Sequence, residues 1–221
     1  MKPAAAGAAQ PDHAGNTGDA ILEAAVELFA QRGYHATSMR DIAAAVDVRA
    51  AGIYHWYESK EAILIKLQDA FIIDLTAEVI AGIERQRRPE ARMAAAVREH
   101  VVYHGLHAQG AFVTDSEIRA LSPRNKQLLI AKRDSYQELF IGLIEDGVRA
   151  GVFTVSEVRI AAYAILLECT GVALWFSPDG RLTLDEVAEI HIDLVLGSLG
   201  ASRRAIAAAV RATRQVQPAP A

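Results

Sequence analysis

One cysteine in 221 residues cannot form an internal disulfide, so no disulfide framework holds this chain together. Cys169 stands among Ile165, Leu166, Leu167 and Val172, the surroundings of a buried thiol in a protein that folds under reducing conditions. Long apolar runs are missing as well. None reaches the roughly 20 residues that cross a bilayer, and the first residues lack the basic-then-apolar pattern of a signal peptide. A cytoplasmic location without membrane contact is therefore expected. Positive charge is not in excess, since 23 Lys and Arg face 27 Asp and Glu for a net −4. A generally basic polymer-binding protein is excluded on that count. Nor is there a Gly-rich phosphate loop, a nucleophile elbow or a recognisable pair of catalytic acids. The sequence gives no support for an enzyme, and no cofactor is expected.

Proline is scarce in the middle of the chain. Between Asp12 and Gln217 it occurs only as Pro89, Pro123 and Pro178, positions that suit helix starts and turns. No segment alternates polar and apolar residues with the period of a strand. The reading is therefore all-α, with a three-helix N-terminal unit and a larger helical bundle behind it. The expected divisions are a disordered segment over 1–16, a DNA-binding domain over 17–62, an effector-binding and dimerisation domain over 63–200, and a C-terminal tail over 201–221. Gly18 to Arg32 reads as the first helix, with Leu22, Ala25, Val26 and Phe29 inward and Gly33 as its cap. Further helices are expected over Ser59–Arg85, Pro89–His107, Ala111–Leu121, Pro123–Ala150, Ser156–Phe176 and Thr183–Leu199, with Ser177-Pro178-Asp179-Gly180 as a turn. Arg203, Arg204, Arg211 and Arg214 mark a loose basic tail or an extension of the last helix.

The densest local pattern runs from Thr37 to Glu61. Met39, Ile42, Ala43 and Val46 give a short helix one apolar face, and Thr37 or Ser38 caps it. Val46-Asp47-Val48 makes a corner. A second short helix over about Arg49 to Tyr57 turns Ile53 inward and leaves Arg49, Ala50, Gly52, Tyr54 and His55 exposed. Two short helices around a tight corner are a helix-turn-helix, whose second helix enters the major groove of DNA. Thr-Ser-Met-Arg-Asp-Ile-Ala, Val48, Ile53-Tyr54-His55-Trp56-Tyr57 and Ser59-Lys60-Glu61 resemble the DNA-binding signature of tetracycline-repressor (TetR) family regulators. The resemblance covers about residues 19 to 64. It implies that Ser38, Tyr54, His55 and Lys60 lie at the phosphates, that Arg40, Arg49, Ala50, Ala51 and Gly52 face the groove, and that Thr37 also belongs to the DNA-binding residues. Asp47 replaces a common glycine at the corner, Arg49 a common Ser or Thr cap, Ala50 a common basic residue, and Gly52 a common Ser or Thr. From Asn16 to Ala62 the basic side chains are Arg32, Arg40, Arg49 and Lys60. Against them stand Asp19, Glu23, Glu27, Asp41, Asp47, Glu58 and Glu61, a net −3. Few phosphate contacts are therefore expected per subunit.

In the larger part, Ser116-Glu117-Ile118-Arg119-Ala120-Leu121 and the stretch Leu174 to Thr183 resemble TetR regulators linked to lipid or steroid breakdown that answer to acyl-CoA thioesters. That implies a small-molecule effector, an acyl-CoA or related lipid metabolite, and release from a palindromic operator; a drug-like effector is the alternative. Aromatic and polar residues suited to a pocket are Tyr103, His104, Phe112, Glu117, Tyr136, Tyr163, Glu168 and Trp175, with Arg133 and Asp134 nearby. Trp175 is equally suited to a dimer seam. A homodimer follows from the small footprint of a single recognition helix. Leu167, Gly171 and Leu174 form one stripe for it, and Ile190, Leu194, Gly197 and Ser198 another. His100, His104 and His107 share one helix face and suggest a second alternative, a helical enzyme with a metal bound there.

Overall fold

The computed structural model describes residues 13–214, and all regular structure among them is helical. The expectation of disorder over 1–16 falls mostly outside the described residues, as do residues 215–221. The chain divides into two compact units, with Leu67 the last residue of the first and Gln68 the first of the second. The division falls inside one helix, α3 (Lys60–Glu84).

The first unit is built by α1 (His13–Arg32), α2 (Met39–Ala45) and the opening turns of α3. α1 starts earlier than the expected Gly18. Its buried stripe is Ile21, Ala25, Leu28 and Phe29, with Leu22 and Val26 only half-buried. Gly33 ends it at φ +83°, a conformation costly for a residue with a Cβ, and returns its N–H to the Phe29 carbonyl at 3.0 Å. α2 begins with a capping box: the Asp41 N–H donates to the Ser38 hydroxyl at 3.2 Å, and the Ser38 N–H donates to the Asp41 carboxylate at 2.8 Å. At its other end Asp47 sits at φ 53°, and Val48 donates back to the Ala43 carbonyl at 2.9 Å. That is a Schellman closure with aspartate in the left-handed position usually given to glycine. Ile42, Ala43, Ile53, Ile63 and Leu64 complete the small core with the α1 stripe.

The second unit is organised on α4 (Pro89–Leu106), which starts with proline in its first turn. α4 is buried on most of its circumference through Met93, Ala94, Ala95, Ala96, Val97 and Val101. The run of alanines lets neighbouring helices close in. Around it pack α6 (Pro123–Arg149), α7 (Val158–Thr170), α8 (Val172–Trp175), α9 (Leu184–Ser198) and α10 (Arg203–Arg214). α5 (Ala108–Ser116) packs chiefly on α8 and is followed by a 3-10 turn over Glu117–Ala120. α6 stops at Gly151, φ +70°, and the buried Phe153 then folds back over Gly147. A Cβ on Gly147 would stand 1.9 Å from the Phe153 ring, so only glycine fits there. Thr183 and Glu186 form a second capping box at the start of α9.

Two expectations change here. The helix foreseen over Ser156–Phe176 breaks at Gly171 into α7 and α8. The tail foreseen from residue 201 is instead a helix over 203–214 with Ile206, Ala209 and Thr213 buried on α4 and α9. Two of its four arginines are engaged: Arg203 pairs with Asp193 at 2.9 Å and Arg214 with Glu189. Sequence reasoning saw the arginines and missed the apolar stripe Ile206–Ala209–Thr213 between them. Val158–Trp175 also makes an 18-residue apolar window, of a length and composition that would cross a membrane, though Gly171 interrupts it.

Candidate functional site

The corner of the first unit presents an exposed face made from few residues. Arg40 projects from α2, and Arg49, Ala50 and Ala51 lie exposed just after Val48. Tyr54 is 55% exposed and His55 is exposed beside it. Ile53 beneath them is fully buried and fixes which way they point. The expected helix over Arg49–Tyr57 is shorter and tighter than foreseen. It consists of turns closing Gly52 N–H on Arg49 O at 2.7 Å, followed by a 3-10 helix over Ile53–His55. Arg49 offers no side-chain oxygen to cap a helix start, and Gly52 opens the turn with no side chain to stiffen it. Gly52 itself is half-buried, and its Cβ position would touch Val48 at 3.0 Å. The next two aromatics serve the fold. Trp56 covers Gly18, whose Cβ would meet its ring at 3.1 Å, and the Tyr57 hydroxyl donates to the Gly18 carbonyl at 3.4 Å.

Three residues expected at the DNA have structural duties. Thr37 is buried, and its hydroxyl donates to Gly33 O at 3.0 Å and Leu28 O at 3.3 Å, tying α2 to the end of α1. Lys60 lies 4.2 Å from the centroid of the Tyr34 ring and donates to Tyr34 O at 2.6 Å and Thr37 O at 2.5 Å. Its ammonium satisfies carbonyls left open where the chain leaves α1, so it clamps the fold. Ser38 stays exposed, but its hydroxyl is in the capping box, where it holds the Asp41 carboxyl below the usual carboxylate range. The roles of Thr37 and Lys60 do not show in a linear motif, because their partners lie elsewhere in the fold, whereas the Ser38–Asp41 box is written in adjacent turns as Ser-x-x-Asp.

The second unit encloses a cavity of about 180 Å³. Its apolar wall comes from Phe71, Ile72 and Leu75 of α3 and Leu166 of α7, and its polar groups from α4, α5, α6 and α7. His100 is buried, with Nδ1 at 2.7 Å from the Tyr136 hydroxyl and Nε2 at 3.1 Å from the Thr170 hydroxyl. Burial, with His104 and His191 nearby, holds its pKa well below the usual 6.5, so it is neutral. His104 stacks on His100 with ring centroids 4.1 Å apart and is also held neutral by burial. Tyr136 is pushed well above 10 by burial and stays a phenol. At the more open side Arg133 donates to Thr114 O at 2.7 Å and pairs with Asp115 at 3.1 Å. Gln68 also donates to Thr114 O, at 3.4 Å.

Of the residues expected at or near a pocket, His104, Tyr136 and Arg133 line this cavity; the others do not. Tyr103 packs its ring edge on Phe71 at 5.1 Å, one layer behind the wall. Glu117 lies in the 3-10 turn after α5, outside the lining. Phe112, Tyr163, Glu168 and Asp134 are exposed. Trp175 is 57% exposed and stacks on His191 at 6.1 Å, so its place is on the surface of α8 and α9. The residues that reasoning missed are Phe71, Ile72, Leu75, Thr114, Asp115, Gln137, Leu166 and Thr170. The spacing of Arg133, Tyr136 and Gln137, and of Leu166 and Thr170, on single helix faces is the signal that could have found some of them. The metal alternative fails on geometry. The rings of His100 and His104 stack face to face instead of converging, His107 lies exposed against Tyr103, and no metal-holding group of three occurs among the described residues.

One apolar face of this unit has no cover within the described residues. Leu167 and Leu174 are 77% and 75% exposed, and Ile190 and Leu194 are exposed on α9. Gly171, Gly197 and Ser198 lie among them as small residues. The Trp175–His191 stack joins the α8 and α9 parts of this surface.

Comparison with known proteins agrees with this division. A model described as bacterial regulatory proteins of the tetR family matches residues 21–67, and one described as a tetracyclin repressor-like C-terminal domain matches residues 86–199. The HTH-type transcriptional repressor KstR2 of Rhodococcus jostii is 28% identical over 186 residues, covering 81% of this chain and 89% of its own. The crystal structure of the TetR family transcriptional regulator PfmR from Thermus thermophilus superposes with a TM-score of 0.75 at 33% identity, over 81% of this chain and 98% of that one. The structure of AibR in complex with isovaleryl coenzyme A and operator DNA is alike in fold, with a TM-score of 0.74 at 24% identity over 80% and 97% of the two chains.

Proposed function

The chain belongs to the tetR family of bacterial regulatory proteins and is a DNA-binding transcriptional regulator, and we propose that it represses an operator through the corner of its first unit and releases it when an acyl-CoA enters the cavity of its second. The observation that carries the reading is the exposed Arg49–His55 face held over the buried Ile53. In this reading Tyr54, His55 and Ser38 meet phosphates, while Arg40 and Arg49 reach base edges, with Ala50, Ala51 and Gly52 letting the backbone come close. Such a protein works in the cytoplasm, where its operator is.

Two copies are needed, because one short recognition element covers too little DNA. The exposed face of Leu167, Leu174, Ile190 and Leu194 suits a two-fold seam of four helices, with Gly171, Gly197 and Ser198 allowing close approach and Trp175 at its edge. Two half-sites about 34–36 Å apart, or a multiple of that, then set a strict requirement on the spacing of the two heads.

An acyl-CoA suits the cavity because its lining is apolar at one side and carries the Arg133–Asp115 ion pair at its more exposed edge, where the guanidinium can turn to an anionic ligand. AibR, of the same fold, has been crystallised with isovaleryl coenzyme A and operator DNA. The route to the head is short in chemical terms. Arg133 and Gln68 share the Thr114 carbonyl, and Gln68 lies on α3, whose first turns belong to the first unit. An anionic ligand that draws Arg133 away changes what holds α3, and a preference of a few kcal/mol for the altered state empties the operator. The test is fluorescence anisotropy of DNA flanking the coding region, titrated with protein and then with a panel of acyl-CoAs, free fatty acids and planar drugs. Saturable binding reversed by an acyl-CoA supports the reading; release by a cationic drug alone refutes the acyl-CoA part.

A further inference from the structure

The hydrogen-bonding role of His104 is fixed by its neighbours. Its Nδ1 lies 2.9 Å from the carbonyl oxygen of His100. A carbonyl can only accept, so the proton is on Nδ1. The ring is 4% exposed and neutral, stacked on His100 on one face and edge-on to Phe71 at 5.4 Å. The second nitrogen, Nε2, is then a bare acceptor, and no donor among the described residues is bonded to it. Of the other polar groups of the wall, the Tyr136 and Thr170 hydroxyls are bonded to His100, and Arg133 to Thr114 and Asp115, while Gln137 and the Thr114 hydroxyl also belong to the lining.

We infer that the effector carries a hydrogen-bond donor on its buried acyl end, such as a hydroxyl, and that His104 Nε2 accepts from it. This rests on the reading of the cavity as the acyl-CoA site and narrows it to hydroxylated short acyl groups. A saturated chain in the same place strips water from the Nε2 lone pair and returns nothing, the kind of mismatch by which sites built for a polar group reject its hydrocarbon analogue. Size points the same way. A volume of about 180 Å³ holds about six groups of the size of a water or methylene, at about 30 Å³ each. A four- to six-atom acyl group fills it.

The test uses the full chain and the matched pair butyryl-CoA and 3-hydroxybutyryl-CoA, with dissociation constants from calorimetry. The wild type should bind the hydroxylated thioester at least tenfold more tightly. His104→Phe, which keeps the stacking and removes the acceptor, should erase the preference while still binding butyryl-CoA. Nitrogen NMR of the wild-type histidines gives a second readout that needs no variant. The Nε2 signal of His104 should lie upfield in the 3-hydroxybutyryl-CoA complex of where it lies in the butyryl-CoA complex. Equal affinities for the two thioesters, or the same Nε2 position in the two saturated complexes, overturn the inference and leave the acyl-CoA reading standing. If neither thioester binds a protein that still binds its operator, the acyl-CoA reading falls and this one with it.

Discussion

Each unit starts a helix with a capping box, Ser38 with Asp41 in the first and Thr183 with Glu186 in the second. The local device is the same, but the two units place their functional chemistry in opposite ways. The first buries a small apolar core and shows Arg49, Tyr54 and His55 to solvent. Its function is set by a run of adjacent residues, and one buried anchor, Ile53, orients them. The second buries polar groups, His100, His104 and Thr114, around a cavity that exists only when α3, α4, α5, α6 and α7 come together. A surface that reads a partner can be written in one stretch of sequence. A cavity that encloses a ligand is written in pieces on five helices.

Removing the anchor should separate the two units most sharply. Ile53→Ala leaves a hole under Tyr54 and should cost the first unit about 3 kcal/mol. Operator binding should be lost while calorimetry still detects effector binding; loss of both would show that the units do not act independently.

Acid should then act on the second unit first. His100 and His104 have pKa values lowered from 6.5 by burial, so the unfolded chain takes up protons before the folded one. Their contribution is complete above pH 6.5 and is lost as pH falls from there toward the folded-state values, at up to about 1.4 kcal/mol per pH unit for each histidine. In the first unit the lowered group is Asp41, a carboxylate whose contribution is present above 3.8 and lost only as pH falls below it. Thermal unfolding between about pH 7 and 5 should lower the transition of the second unit, and His100→Gln should flatten that dependence. A pH-independent transition in the wild type would contradict the buried neutral pair.

Lys60 sharpens the boundary between fold and site. Lys60→Met should destabilise the first unit by about 1–2 kcal/mol through the carbonyls of Tyr34 and Thr37. The salt dependence of operator binding, measured on the folded fraction, should not change. A slope reduced by about one unit would return Lys60 to the phosphates. The smallest effect belongs to Tyr54→Phe, which should weaken every DNA sequence alike by about 1 kcal/mol through one lost phosphate hydrogen bond. Arg49→Ala should instead cost about 1–3 kcal/mol and do so only on the preferred sequence.

What could be read in the sequence follows the same division. The all-α architecture, the Asp47 corner in left-handed backbone and the Ser38 and Thr183 caps depend on neighbours within a few positions, and all three are legible there. Thr37 and Lys60 look like DNA-binding residues in the sequence because their carbonyl partners lie outside their own turn, on Leu28 and Gly33 for one and Tyr34 and Thr37 for the other. Trp175 looks like a pocket residue because aromatics gather in that part of the chain. Only the break at Gly171 turns it outward onto His191. His104 was legible as a polar residue on an inward face, but its tautomer depends on the turn that puts Nδ1 against the His100 carbonyl.

The central claim is that a face in the first unit holds the operator and a ligand in the second lets it go. The most direct measurement is anisotropy of the flanking DNA with wild type and with an Arg49→Ala, Tyr54→Ala double variant, each titrated with a short acyl-CoA. The account predicts tight, saturable binding by the wild type that the acyl-CoA reverses, and no specific binding by the double variant although it still binds the acyl-CoA. Equal DNA binding by the two proteins would contradict it.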